Sequence, residues 1–330
     1  MFNQIERECP VVFGHRAFFI YSLSHNFICY FCKRMFKRFN QHLLLLHVIV
    51  FIWGFSPILG RFITADTMQL VWFRILITIS VMLGYILWTK QPLWPSRTDL
   101  LKLAGTGIII LIHWLAFYGA IKVSNISVTM VAFSTGTLFT SIIEPILFKR
   151  AVRLYEVIIG LIIIAGIVLI FSIEFQYWQG ILLGILAALT SAIFGVFNGI
   201  FSRTIKPAII SFWELTAAIA GLTVFLLIGG KLNATFFQLD QHSVIGLLLL
   251  SLVCTVFPFI ASVNLTRFIS PYTIVLTVNL ETVYGIIWAI LFYHENNEVK
   301  PSFYIGVAII LLAIFMNSWL KKVTEQRANK

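Results

Sequence analysis

The stretch LTVNLETVYGIIWAILF, Leu276 to Phe292, holds one carboxylate, Glu281, in an otherwise uncharged run. A carboxylate at the centre of a membrane helix costs about 2.5–3.5 kcal/mol on insertion scales. Such groups face a protein interior or a water-filled path, where they pair with a cation or exchange a proton. Thr277, Tyr284, Gly285 and Trp288 share a helical stripe with Glu281, at spacings of −4, +3, +4 and +7. Hydroxyls, a small residue and an aromatic ring make that stripe unlike a lipid-facing row of Leu and Ile. Glu281 is therefore the first candidate for pairing with a cationic solute or taking a coupling proton. The plain alternative is a Glu locked to a helix neighbour.

Other polar side chains interrupt apolar runs. Arg74 either snorkels to the surface or lines the mouth of a path and attracts an anionic group. His113, in LIHWLAFYGAI, shares a face with Ala116, Phe117 and Ala120. It either titrates near neutrality or sits neutral and hydrogen-bonded inside a bundle. Asn198, Asn264 and Asn279 are further side chains able to point inward. Ser134, Thr137, Ser141 and Glu144 form one polar face, read as interhelical glue worth about 0.6 kcal/mol per bond, with Glu144 locked to Arg150 or Arg153. In WGFSP, Pro57 frees the carbonyl four residues back, so a kink is expected near Trp53. Trp53, Trp72, Phe117 and Trp288 are candidates for an aromatic wall.

The catalytic and metal-binding signals are weak. There is no HExxH, Gly-rich phosphate loop or paired-carboxylate cluster. Cys29-x-x-Cys32 lacks a second pair or a nearby His–Cys set. No metal site and no cofactor is expected. A membrane-embedded enzyme, a channel with its polar rings and a receptor are the alternative readings, each less supported than a carrier.

The elements that must position these residues follow from composition. The chain is 59% hydrophobic and 11% charged, against about 25% charged in soluble domains. Ten apolar runs suit membrane helices: 43–62, 69–88, 102–122, 126–148, 155–173, 179–201, 208–229, 243–266, 272–293 and 302–320. The expected fold is an all-α integral membrane protein of ten transmembrane helices. Its linkers are short, so no nucleotide-driven engine is expected, and any driving force comes from a proton or solute gradient. The net charge of +11 does not call for nucleic acid: with a cytoplasmic N-terminus, nineteen of the 24 Lys and Arg fall in inner segments. Both termini are thus expected to be cytoplasmic, in a multi-pass protein of the plasma (inner) membrane.

The first 42 residues read as an N-terminal tail. AFFIYSLSHNFICYFC is too short to span, whereas MFKRFNQHLLLLHVIVF from Met35 has the form of a start followed by a first span. The tail is either upstream of a true start at Met35 or an interfacial amphipathic segment.

The ten runs divide into halves. A shift of 145 lays Lys122 on Arg267 and Arg150 on Glu295, and sets Glu281 against Gly136. A shift of about 141 brings IWGFSPILGR near IFGVFNGIFSR. Five spans is an odd number, so the second half sits inverted, with a site near the midplane between the halves. IWGFSP at the opening, Phe73-Arg74 in the second run and LET…LFYHE in the ninth make the chain resemble the EamA-type transporters of the drug/metabolite transporter superfamily, over roughly residues 43–320. Family members carry a Glu-Pro in the ninth span and a Gly-Glu near its end; here Glu281-Thr282 and His294-Glu295 keep both acids without the proline and glycine. The resemblance implies two five-helix repeats, 43–174 and 175–321, and a cytoplasmic tail at 322–330. It also implies a permease that moves an amino acid or related small solute by alternating access. The expected partners are that solute and membrane lipid, with the protein a monomer and a dimer possible.

Overall fold

The computed structural model describes residues 41–149 and 154–328. Residues 1–40, with the possible start at Met35 and the cysteines of the tail, lie outside the described residues, as do Arg150 and Arg153. The described chain is helical, with helices α1 (Gln41–Phe62), α2 (Thr67–Trp88), α3 (Arg97–Val123), α4 (Ile126–Phe148), α5 (Leu154–Ile173), α6 (Trp178–Phe201), α7 (Pro207–Ile228), α8 (Gln241–Leu265), α9 (Pro271–Tyr293) and α10 (Phe303–Ala328). Eight stretches are long and apolar enough to cross a membrane among the described residues; α5 and α10 contain only the shorter apolar segments Ile158–Ile170 and Phe303–Ala313.

Helix starts follow the capping residues. Asp66 accepts from the amides of Met68 and Gln69 at 2.7 and 3.0 Å while Gln69 accepts from the Asp66 amide, a reciprocal box that opens α2. Ser96, Asn125, Asp240 and Ser270 cap α3, α4, α8 and α9, and prolines stand at the first positions of α7 and α9. Helices α4 and α9 both end in a left-handed residue, Lys149 and His294, each with φ of 54°. Those two positions are related by the same offset of 145 that aligns the repeats.

Three helices are broken. In α1 the fault lies at Gly54–Phe55, one turn before the proline that frees a carbonyl there. A Cβ on Gly54 would stand 2.7 Å from the Tyr284 Cβ, so glycine permits the close approach of α1 to α9. In α4 the break falls at Ser134–Thr135, whose hydroxyls donate to the carbonyls three residues back at 2.6 and 2.7 Å. In α8 a π-type turn covers Leu252–Val256 just before Pro258. Pro258 supplies no amide to Cys254, and Thr255 turns its hydroxyl to the Leu250 carbonyl at 2.7 Å.

Helix α3 packs between α6 and α7. Its contact with α7 is close enough that a Cβ on Gly107 would meet the Glu214 carbonyl oxygen at 2.2 Å. The loops richest in Lys and Arg gather at one end: Arg267 donates to the carbonyls of Ser202 and Ile205, Trp213 to that of Leu93, and Arg203 lies over the Phe148 ring. We call this the basic end.

Candidate functional site

A cavity of about 120 Å³ opens among α1, α2, α3, α4, α6, α8 and α9. At its floor Arg74 is buried. Its Nε donates to Thr255 Oγ1 at 3.0 Å, its Nη1 donates to Tyr118 Oη at 2.5 Å, and its guanidinium lies 4.0 Å from the Trp114 ring centre. Tyr118 Oη is 2.7 Å from Ser56 Oγ, just past the break in α1. The breaks therefore serve the site: one supplies Ser56, and the turn in α8 presents Thr255. Arg74 Nη2 has no hydrogen-bond partner among the described residues. Arg74 does not snorkel; it holds its charge inside the bundle.

Glu281 lines the same cavity and makes no hydrogen bond or ion pair among the described residues. Arg74 and Glu281 line the same cavity without a direct ion pair between them. His113, also in the wall, places Nδ1 2.8 Å from the Ala187 carbonyl oxygen. That neighbour makes Nδ1–H the donor, so in the neutral ring Nε2 is the acceptor.

Of the residues singled out from the sequence, Glu281, Gly136, His113, Arg74, Trp53, Phe117, Asn198 and Asn279 line this one cavity. Thr277, Tyr284 and Trp288 lie elsewhere. Thr277 donates to the Thr273 carbonyl at 2.9 Å, Tyr284 packs edge-on to Phe51 at 5.4 Å, and Trp288 stacks on Phe55 at 4.7 Å. Their stripe is wider than the cavity, and its Tyr284–Trp288 side is used to pack α9 on α1. The aromatic wall is likewise divided. Trp53 and Phe117 line the cavity, whereas Trp72 clusters with Phe236 and Phe237.

On α4 the polar face does structural work. Ser134 and Ser141 donate to carbonyls of their own helix, Thr137 accepts from the Asn279 side-chain amide, and Thr282 on α9 donates to the Met130 carbonyl at 3.0 Å. Glu144 accepts from the Tyr272 amide at 2.5 Å, at the start of α9. A lock of Glu144 to Arg150 or Arg153 falls outside the described residues.

The cavity wall runs from Ser56, Arg74 and Glu281 to Thr266 and Pro271 at the basic end and includes no residue of the loops at the other end. That other end is sealed by Glu295, which is fully buried. One carboxylate oxygen accepts from Arg61 Nη1 at 2.5 Å and the Ile126 amide at 2.9 Å; the other accepts from the Ser127 amide at 2.8 Å and its hydroxyl at 2.7 Å. Arg61 also reaches Glu298 at 2.7 Å. A carboxylate on the exposed amides of a helix start is favourably placed, so this network clamps α1, α4 and the end of α9 together.

Sequence reading missed Tyr118 and Thr255. For Thr255 a signal existed, because Pro258 inside an apolar run marks a faulted helix; Tyr118 sits in an aromatic-rich segment where nothing sets it apart.

Comparison with known proteins matches residues 41–172 and 178–319 to the EamA-like transporter family, one match per half. No curated protein matches. Among solved structures, one titled only "Crystal structure of protein" superposes with a TM-score of 0.63 at 14% identity, over 87% of this chain and 99% of the other. At that identity the likeness speaks for the fold alone.

Proposed function

From the premise that this chain belongs to the EamA-like transporter family, we propose that it is a permease for a small zwitterionic metabolite, an amino acid or a close relative, moved by alternating access. The observation that carries the reading is one buried cavity holding both an unpaired carboxylate, Glu281, and a guanidinium with a spare donor, Arg74. Buried charges of this kind are costly unless they meet a partner. A solute with an ammonium for Glu281 and a carboxylate for Arg74 satisfies both. The unpartnered Nη2 of Arg74 gives a carboxylate a charge-assisted hydrogen bond, and His113 in its neutral form adds an acceptor on the wall.

The chain crosses the plasma (inner) membrane ten times, with the bilayer thinning around the short apolar segments of α5 and α10. It does so as inverted repeats 43–174 and 175–321, with both termini cytoplasmic and the protein acting as a monomer. The paired left-handed ends of α4 and α9 support the repeat, and the gathering of Lys and Arg loops at one end supports the orientation. The arrangement seen here then faces inward, sealed on the outer side by Arg61, Glu295 and the start of α4. The helix breaks beside the cavity provide the compliant points that rocking requires.

The test is a thermal-shift panel of zwitterionic amino acids, simple amines and simple carboxylic acids on purified protein. A ligand at a hundred times its Kd stabilises by about 2.7 kcal/mol. The expected result is a shift from a zwitterion that both Glu281→Gln and Arg74→Gln abolish. Equal shifts from amines or acids alone, or a zwitterion shift that survives both variants, overturn the reading.

A further inference from the structure

Helices α2 and α7 are each 22 residues long, Thr67–Trp88 and Pro207–Ile228. Laid over one another at an offset of 140, VWFRIL meets SFWELT, and the eighth residues are Arg74 and Glu214. The repeats thus place opposite charges at matching depth from opposite ends, about 10 Å in at 1.5 Å per residue. Their surroundings differ. Arg74 lines the cavity with partners around it. Glu214 is fully buried beside the cavity, and its carboxyl has one hydrogen bond, from Asn198 Nδ2 at 3.3 Å. Glu214 Oε1, Asn198 Oδ1 and Ser211 Oγ are buried oxygens with no partner among the described residues, and Asn198 itself lines the cavity.

We propose that Glu214 is a proton-binding site joined to the central cavity through Asn198, sealed and protonated in the arrangement seen here and ionised when access switches to the other end. The proposal rests on the carrier reading. An ionised carboxylate with no cation and one long hydrogen bond is uncompensated in an apolar interior. The protonated acid needs only an acceptor, which Asn198 supplies when its amide is turned so that Oδ1 faces Glu214.

Among the described residues no other charge faces Glu214. On α2, Arg74 turns to Tyr118 and Thr255, and Tyr85 is exposed. On α3, His113 and Tyr118 line the cavity, while Arg97, Asp99, Lys102 and Lys122 lie toward the helix ends. Helix α8 contributes only His242 in its first turn and Cys254 beside Arg74, and α6 contributes no charged residue. A hard metal cation is a poorer occupant, since it gathers six or more oxygens and the helix carbonyls here are engaged. When inverted repeats rock, each takes up the arrangement the other held. Glu214 then comes to the cavity wall where Arg74 stands now, and loses its proton there.

Infrared difference spectra of the full chain in lipid, recorded from acid to alkaline buffer, test this directly. The expected spectrum has a protonated-carboxyl C=O band at neutral pH that bleaches with alkali. That band persists in Glu281→Gln, is lost in Glu214→Gln and moves in frequency in Asn198→Ala, which keeps the acid should the Gln variant not fold. In parallel, the opening of the Ile126 and Ser127 amides, read as hydrogen exchange divided by the base-catalysed intrinsic rate at each pH, rises with alkali in the native protein and stays flat in Glu214→Gln. A native spectrum without such a band, a band unaltered in both Glu214→Gln and Asn198→Ala, or an exchange response that follows sodium rather than pH overturns the proposal. A solute panel with no hits alongside an intact Glu214 band would instead fault the carrier reading and leave the proton site standing.

Discussion

Replacing Glu295 with Gln should loosen the sealed end of the bundle by an amount the structure lets one work out. The native carboxylate accepts four hydrogen bonds, two on each oxygen, while fully buried. An amide keeps one acceptor oxygen, enough for Arg61 and the Ile126 amide. Its NH2 faces the Ser127 amide, donor against donor, and the Ser127 hydroxyl must turn to accept. Bonds to a charged acceptor are worth about 1.5–3 kcal/mol each, and an orphaned buried donor about 1–3. Arg61 is partly exposed and keeps Glu298, so no free cation is left behind. The net loss is about 2–3 kcal/mol, which corresponds to a roughly 30- to 150-fold rise in local opening. Hydrogen–deuterium exchange with mass spectrometry reads that opening at the Ile126 and Ser127 amides. The Tyr272 amide, held by Glu144 at the basic end, is the internal control and should not accelerate. Unchanged exchange at Ile126 and Ser127, or equal acceleration at Tyr272, would refute the idea that Glu295 is a local clamp.

Two other expectations concern stability. Gly107→Val puts a side chain where a Cβ already meets the Glu214 carbonyl oxygen at 2.2 Å; forcing α3 from α7 should cost about 1–3 kcal/mol or more, seen as a lower Tm in detergent, and an unchanged Tm would contradict the close packing. Hydrogen bonds from Ser243 and Thr64 hold the Asp240 carboxyl below the usual carboxylate range. Its stabilisation is therefore present above the ordinary carboxylate pKa and lost as pH falls toward the lower folded value. Tm measured across acidic buffers should lose part of its pH dependence in Asp240→Asn; parallel curves for the two proteins would remove Asp240 from the account.

Composition and periodicity were enough to read a helical membrane protein from this sequence, because lipid permits little besides internally bonded helices. Short ordered motifs pointed to its family for a related reason: the kink in WGFSP, Phe73-Arg74 and the two acids of the ninth run stand out against an apolar background. The same contrast made Glu281, Arg74 and His113 visible, since each is expensive in lipid and must be housed. Housing itself was decided by tertiary packing. A helical stripe names neighbours on one helix, yet only the position of α1 shows that Tyr284 and Trp288 are packing residues while Glu281 lies open. Tyr118 and Thr255 became partners of Arg74 through a turn in α8 and a crossing of α3, contacts between residues 44 and 181 apart in the chain. Glu214 passed unmarked as one acid in an apolar run. Its isolation emerged only when α2 and α7 had fixed bounds to compare, because burial and missing partners are properties of the assembled bundle and not of any single helix.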